Sequence, residues 1–109
     1  MQRDKRLTKS KDFAAARRYG RSWSDRYLVL VVRPNLSDAT RFGFSVGRRV
    51  GNSVLRNKIK RRLREAARLA QVPPGWDLVV IARRDAALAD YHQLERSMTV
   101  LIGRARILT

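Results

Sequence analysis

Residues Phe42–Arg68 read FGFSVGRRVGNSVLRNKIKRRLREAAR, and their reading decides the fold. The segment opens on alternation. Arg41, Gly43 and Ser45 fall on one side of an extended chain, and Phe42, Phe44 and Val46 on the other. That pattern predicts a half-buried strand over Arg41–Val46. Gly47–Gly51 is a tight loop carrying Arg48 and Arg49. The period then changes to that of a helix, predicted from about Asn52 to Ala70 and closed by Pro73-Pro74-Gly75. At about 100° per residue, Leu55, Ile59, Leu63, Ala66, Ala67 and Ala70 fall within one third of the circle, the stripe that faces a core.

The same helix carries charge beside that stripe. Nine basic residues lie between Arg48 and Arg68, opposed only by Glu65. Arg56, Lys60 and Arg64 line up at i, i+4 and i+8, with Asn57, Arg61 and Arg68 next to them. Residues four apart rise by about 6 Å, close to the phosphate repeat of an extended single strand. Arg holds phosphate with a planar fork, and Lys with a point charge. Asn57 can bond a base edge or a 2′-hydroxyl, or cap its own backbone. A solvated helix face usually alternates sign to gain i, i+4 pairs, and this one does not.

Outward from the helix, the chain completes an α-β-β-β-α-β-α order. Ser10 caps a short helix predicted to Tyr19, with Gly20 as its stop. Gly20–Asp25 is a turn or a very short strand. Tyr27–Arg33 is a β-branched strand bounded by Pro34. Asn35–Thr40 suits a hairpin, which would set Arg41–Val46 antiparallel to the strand before it. Asp77–Ala82 is a fully buried strand, left through Arg83-Arg84-Asp85. A last helix is expected over Asp90–Ile107. The expectation is an α+β two-layer sandwich, helices on a small mixed sheet. Residues 1–109 form one domain, with 1–9 as a flexible basic arm.

Composition restricts the function. The 109 residues carry 25 Lys and Arg against nine Asp and Glu, a net charge of +16, while 44% are apolar. Such self-repulsion suits a folded domain whose usual partner is a polyanion. With no Cys and a single His, thiolate chemistry and multi-histidine metal centres are excluded. The longest apolar run, Tyr27–Val32, is far short of a membrane span, and no targeting signal is evident. A soluble cytoplasmic protein is expected, with no membrane partner. A protein-only nuclease would need a paired carboxylate or an activated nucleophile. His92, Ser45 and Ser53 lack partners for that work, so no catalytic residue is assigned. A structural RNA-binding protein of the ribosomal kind is the alternative that composition leaves open. Trp23 and Trp76 read as partly packed core residues or as base-stackers.

The motif Arg56-Asn57-Lys58-Ile59-Lys60-Arg61, preceded by Arg48-Arg49-Val50-Gly51-Asn52-Ser53-Val54 and followed by Arg64-Glu65, resembles the signature of the bacterial ribonuclease P protein component. Arg6-Leu7, Lys11-Asp12-Phe13, Gly20 and Asp77–Arg83 match that family elsewhere, so the resemblance spans nearly the whole chain. It implies a small protein subunit of a catalytic RNA that removes the 5′ leader from precursor tRNA. It further implies that magnesium is required by the RNA-containing holoenzyme and that no cofactor is tightly bound to the protein. Its partners would be the catalytic RNA and precursor tRNA, with no further protein required. Carried over by position, Arg48, Arg49, Asn52, Arg56, Asn57, Arg61 and Arg68 face the catalytic RNA. Phe13, Arg17, Val31, Lys60 and Arg64 fall on a cleft for the leader. Phe13 can stack on a base there or anchor the first helix. Arg17 stands where many members carry a second aromatic and Val31 where some carry Tyr, which shifts leader binding toward charge. The family also implies a left-handed strand–helix–strand crossover.

Overall fold

The computed structural model describes Leu7 and residues 10–107. The arm expected over residues 1–9 lies outside the described residues, Leu7 excepted, as does the Ser10 side-chain cap. The elements are α1 (Ser10–Tyr19), β1 (Arg21–Ser24), β2 (Leu28–Pro34), β3 (Arg41–Ser45), α2 (Ser53–Leu69), β4 (Trp76–Ala82) and α3 (Tyr91–Ala105). Short 3-10 turns at Arg48–Val50 and Arg84–Leu88 follow β3 and β4. The α-β-β-β-α-β-α order and the mixed sheet agree with expectation.

Strand pairing does not follow the expected hairpin. The sheet order is β1-β2-β4-β3. The hairpin is β1–β2, while β3 pairs with β4 in parallel, Phe42 opposite Leu78 and Ser45 opposite Ile81. β4 therefore sits between β2 and β3. Composition explains its place, because Leu78–Ala82 is apolar on both faces and only a central strand buries both. The 35–40 loop makes room for it. Asn35 N–H donates to Gly75 O, Gly75 N–H to Ala39 O, and Thr40 Oγ1 to Pro73 O, so the loop grips the entry to β4 instead of folding β3 onto β2.

Alternation along the central strands builds two apolar clusters. Leu28, Leu30 and Val32 of β2 and Leu78 and Val80 of β4 meet the buried stripe of α2 (Ile59, Leu63, Ala66, Ala67) and Leu94, Met98, Leu101 and Ile102 of α3. Trp23 and Trp76 pack against this cluster, which resolves them as half-buried core residues. The opposite face presents Val31 and Val79 to Leu7 and Ala16, with Phe13, Val29 and Ile81 at its margin. The α1 helix thus crosses the second face of the sheet. Close approach there depends on Gly43, where a Cβ would stand 2.7 Å from Phe13 Cζ and 3.0 Å from Leu7 Cβ. Leu7 N–H also donates to Phe42 O at 2.8 Å, covering part of the β3 edge.

Candidate nucleic-acid interface

α2 begins where Asn52 Oδ1 accepts a hydrogen bond from Leu55 N–H at 2.9 Å. Asn52 is therefore the N-cap, and its carbonyl-type oxygen is already engaged. With Ile59, Leu63, Ala66 and Ala67 buried, the charged residues are forced onto the remaining arc. Asn57, Lys58, Arg61 and Arg68 are exposed, while Arg56, Lys60 and Arg64 lie half-buried beside the stripe. The Nε atoms of Arg56 and Arg64 are buried without a partner among the described residues. Their stems lie down against the fold.

Two arginines of this helix are already occupied. Arg62 Nη1 donates to Ala89 O at 3.0 Å, which ties α2 to the approach to α3. Arg68 holds Glu65 with two hydrogen bonds, Nε to Oε2 at 3.2 Å and Nη2 to Oε1 at 2.6 Å. That pair raises the Arg68 pKa and lowers that of Glu65. Glu65 thus offsets the charge of Arg68 and occupies one edge of its guanidinium, whereas Arg61 has no such partner among the described ion pairs.

A second basic surface lies at the C-terminal ends of β3 and β4. Because these strands are parallel neighbours, the loops that leave them emerge side by side. Arg48 and Arg49 follow β3, and Arg83 and Arg84 follow β4. Together with Arg17 of α1 they line a groove of about 860 Å³ whose floor includes Ser45, Gly47 and Ile81. Arg17 Nη2 donates to Ser45 Oγ at 3.3 Å across it. No carboxylate lines it; Asp85, next in sequence, is paired with Arg26 at 3.0 Å. Arg83 is positioned by its Nη1 donating to Asp25 O at 2.7 Å.

This groove and the expected leader cleft have only Arg17 in common. Arg17 belongs to it, but Lys60 and Arg64 do not line it, and Arg48 and Arg49 do. Val31 is 5% exposed, so it offers no surface to a ligand. Its side chain falls on the face that α1 covers and packs with Ala16 and Val79. Phe13 is half-buried over Gly43 and anchors α1 to the sheet. Arg83 and Arg84 line the groove but were not among the site residues expected from the sequence. The doublet was visible as the exit from a strand, but its meaning required knowing that β3 and β4 are neighbours.

The described carboxylates do not assemble a metal site. No three His, Asp or Glu side chains converge among the described residues. Asp77 and Asp12 lie against Arg41, Asp25 serves the β1–β2 turn, and Asp90 caps α3. His92 is an exposed residue of the first turn of α3, edge-on to Tyr91. The arginine donors that line the groove fit anion binding.

Known proteins are similar to this chain in sequence and in fold. The family model described as Ribonuclease P matches residues 1–106. The ribonuclease P protein component of Natranaerobius thermophilus is 42% identical over 104 residues, covering 94% of this chain and 90% of that protein. That of Roseiflexus castenholzii is 42% identical over 112 residues, covering 99% and 91%. Among solved structures, the RNase P protein of Staphylococcus aureus superposes with a TM-score of 0.87 at 32% identity, covering 96% of this chain and 98% of that one. The RNase P protein from Thermotoga maritima gives a TM-score of 0.83, also at 32% identity, covering 91% and 96%. A match of this extent in sequence and in fold does not favour a general structural RNA-binding role: the chain belongs to the family of ribonuclease P protein components, the protein subunits of a ribonucleoprotein enzyme.

Proposed function

We propose that the chain divides its two basic surfaces between two RNAs. The exposed face of α2, with Arg56, Asn57 and Arg61, docks on the catalytic RNA. The arginine groove holds the single-stranded 5′ leader of precursor tRNA while the RNA subunit cleaves it. The observation that carries this reading is the convergence of Arg17, Arg48, Arg49, Arg83 and Arg84 on one groove without a lining carboxylate. Five arginines at one groove suit the phosphates of a strand drawn through it. Arg48 and Arg49, at the junction of the surfaces, can serve both RNAs.

In this division the protein binds and orients. Arginine forks hold phosphate oxygens, and the leader's charge is neutralised where it would otherwise repel the catalytic RNA. Magnesium would supply its chemistry from sites on the RNA; among the described residues of the protein no three His, Asp or Glu side chains converge. A precursor-tRNA substrate and a partner RNA would fit the cytoplasm expected from the sequence.

The test is cleavage of precursor tRNA at low magnesium by the catalytic RNA alone, the protein alone and the two together. The expected result is activity only for the pair. If about six phosphates are neutralised, leader affinity falls with a log–log salt slope of roughly −4 to −5, at about 0.7 per contact. Activity of the protein alone, or a slope near zero, would count against the proposal.

A further inference from the structure

Tyr19 closes α1 and is 66% exposed. The guanidinium carbon of Arg18 lies 5.5 Å from the ring centre and that of Arg33 lies 5.6 Å from it. Neither arginine enters an ion pair among the described residues; the nearby Asp12 and Asp77 lie against Arg41. An exposed aromatic ring flanked by unpaired cations is the chemistry of a single-strand stacking site. Cation–π pairs at exposed positions are worth only about 0.5–1 kcal/mol, so either arginine can leave the ring for a phosphate and free a face for a base.

Its position relates it to the groove. Arg33 stands opposite Asp77 at the start of β4, and Ser45 opposite Ile81 near its end. Four residue steps along β4 separate these points, about 13 Å. α1 crosses between them, with Ala16 packed against Val79 and Val31. Arg17 therefore reaches the groove on one flank of the helix, and Tyr19 reaches Arg33 on the other. Arg18 lies between them on the exposed outer surface of the helix. The three residues form an unbroken path over α1, roughly 10 Å across, or about two nucleotides of an extended strand.

We infer that Tyr19, with Arg18 and Arg33, is a stacking site for a nucleotide of the 5′ leader lying upstream of those held in the groove. The inference rests on the groove being the leader site. Continuity through Arg17 and Arg18 selects the leader as occupant, because the α2 face lies beside β3, at the other edge of the sheet from β1.

The experiment uses holoenzyme assembled with the catalytic RNA and two precursor tRNAs, one with a leader too short to cross α1 and one long enough. Tyr19→Leu is expected to weaken binding of the long-leader substrate about tenfold, the loss of one aromatic stack. It leaves short-leader binding and assembly with the catalytic RNA unchanged. Tyr19→Phe retains the ring and restores affinity. Arg33→Gln lowers the long-leader salt slope by about 0.7. Equal losses for both leaders, or no loss for the long one, would overturn the inference. Failure of the groove reading shows separately, as Arg17→Ala and Arg84→Ala variants that bind both substrates like the parent.

Discussion

Arg41 grips both oxygens of the Asp77 carboxylate, Nε to Oδ1 at 2.9 Å and Nη2 to Oδ2 at 2.8 Å, across the parallel β3–β4 pair. Asp77 is 4% exposed, and Asn35 Nδ2 adds a third hydrogen bond to Oδ1 at 2.9 Å. Arg41 also faces Asp12 of α1 at 3.7 Å, so one guanidinium joins helix and sheet. Removing it strands a buried charge. Arg41→Met is expected to cost about 3–5 kcal/mol in urea unfolding, the range for breaking a buried pair from one side. Arg41→Met with Asp77→Leu recovers most of that loss, because no charge is then left buried. A double variant as unstable as the single one would show that the pair acts through something other than charge.

Gly43 predicts a link between packing and leader binding. A methyl group there would meet Phe13 Cζ at 2.7 Å, closer than unbonded carbons come. Phe13 must move, and α1 with it. Gly43→Ala is expected to cost about 1–3 kcal/mol by overpacking. Since α1 carries Arg17 to the groove, leader affinity falls while affinity for the catalytic RNA through α2 is kept. Phe13→Leu in the Gly43→Ala background relieves the clash and restores stability. Equal loss of affinity for both RNAs would contradict this account.

The contrast between α2 and the sheet shows what was legible before the structure. α2 was readable because its information is local. Ile59, Leu63, Ala66 and Ala67 repeat at helical spacing, Asn52 stands at the cap, and the charges must take the remaining arc. Strand order was not readable. Nothing near Arg41–Ser45 says that its partner is β4, more than thirty residues away, instead of β2. The apolar run of β4 did indicate burial on both faces, hence a central strand, and that inference would have displaced the expected hairpin. Val31 shows the same limit. Its place in the cleft between the first helix and the sheet came from the resemblance, whereas in the fold Val31 is packed beneath α1 against Ala16 and Val79. Arg83 and Arg84 became part of the site only once β3 and β4 were adjacent.

Engagement by Glu65 separates two arginines that look alike in sequence. Arg61 is exposed and takes no part in the described ion pairs, whereas Arg68 is held by two hydrogen bonds to Glu65. Arg61→Ala is therefore expected to weaken binding to the catalytic RNA more than Arg68→Ala. Glu65→Gln should tighten binding by freeing Arg68 and removing a negative charge from the face. Exposed pairs are worth about 1 kcal/mol or less, so the gain is several-fold at most and fades with added salt. Titrations at two ionic strengths check this, and weaker binding by Glu65→Gln would refute it.

Asp25 supplies the pH dependence. Its Oδ1 accepts from the backbone N–H groups of Tyr27 and Leu28, at 2.9 and 3.0 Å, and its Oδ2 accepts from Ser97 Oγ at 2.5 Å. Burial alone would raise its pKa. The Ser97 hydroxyl, the two N–H groups and the charge of Arg104 outweigh burial, so the pKa lies below its ordinary 3.8. A folded-state pKa below the unfolded value means stability that is present above about pH 4 and lost as pH falls through the folded value. Ser97 contributes one of these bonds from the buried side of α3, joining that helix to the turn before β2. Ser97→Ala should cost about 1–3 kcal/mol at neutral pH, the range for losing a hydrogen bond to a charged group. The difference from the parent should narrow below pH 4, where the parent loses the same contribution by protonation. Urea unfolding followed by the fluorescence of Trp23 and Trp76 at neutral and acid pH measures both values. A difference that stays constant across that range would mean that Ser97 stabilises by packing and not through the Asp25 carboxylate.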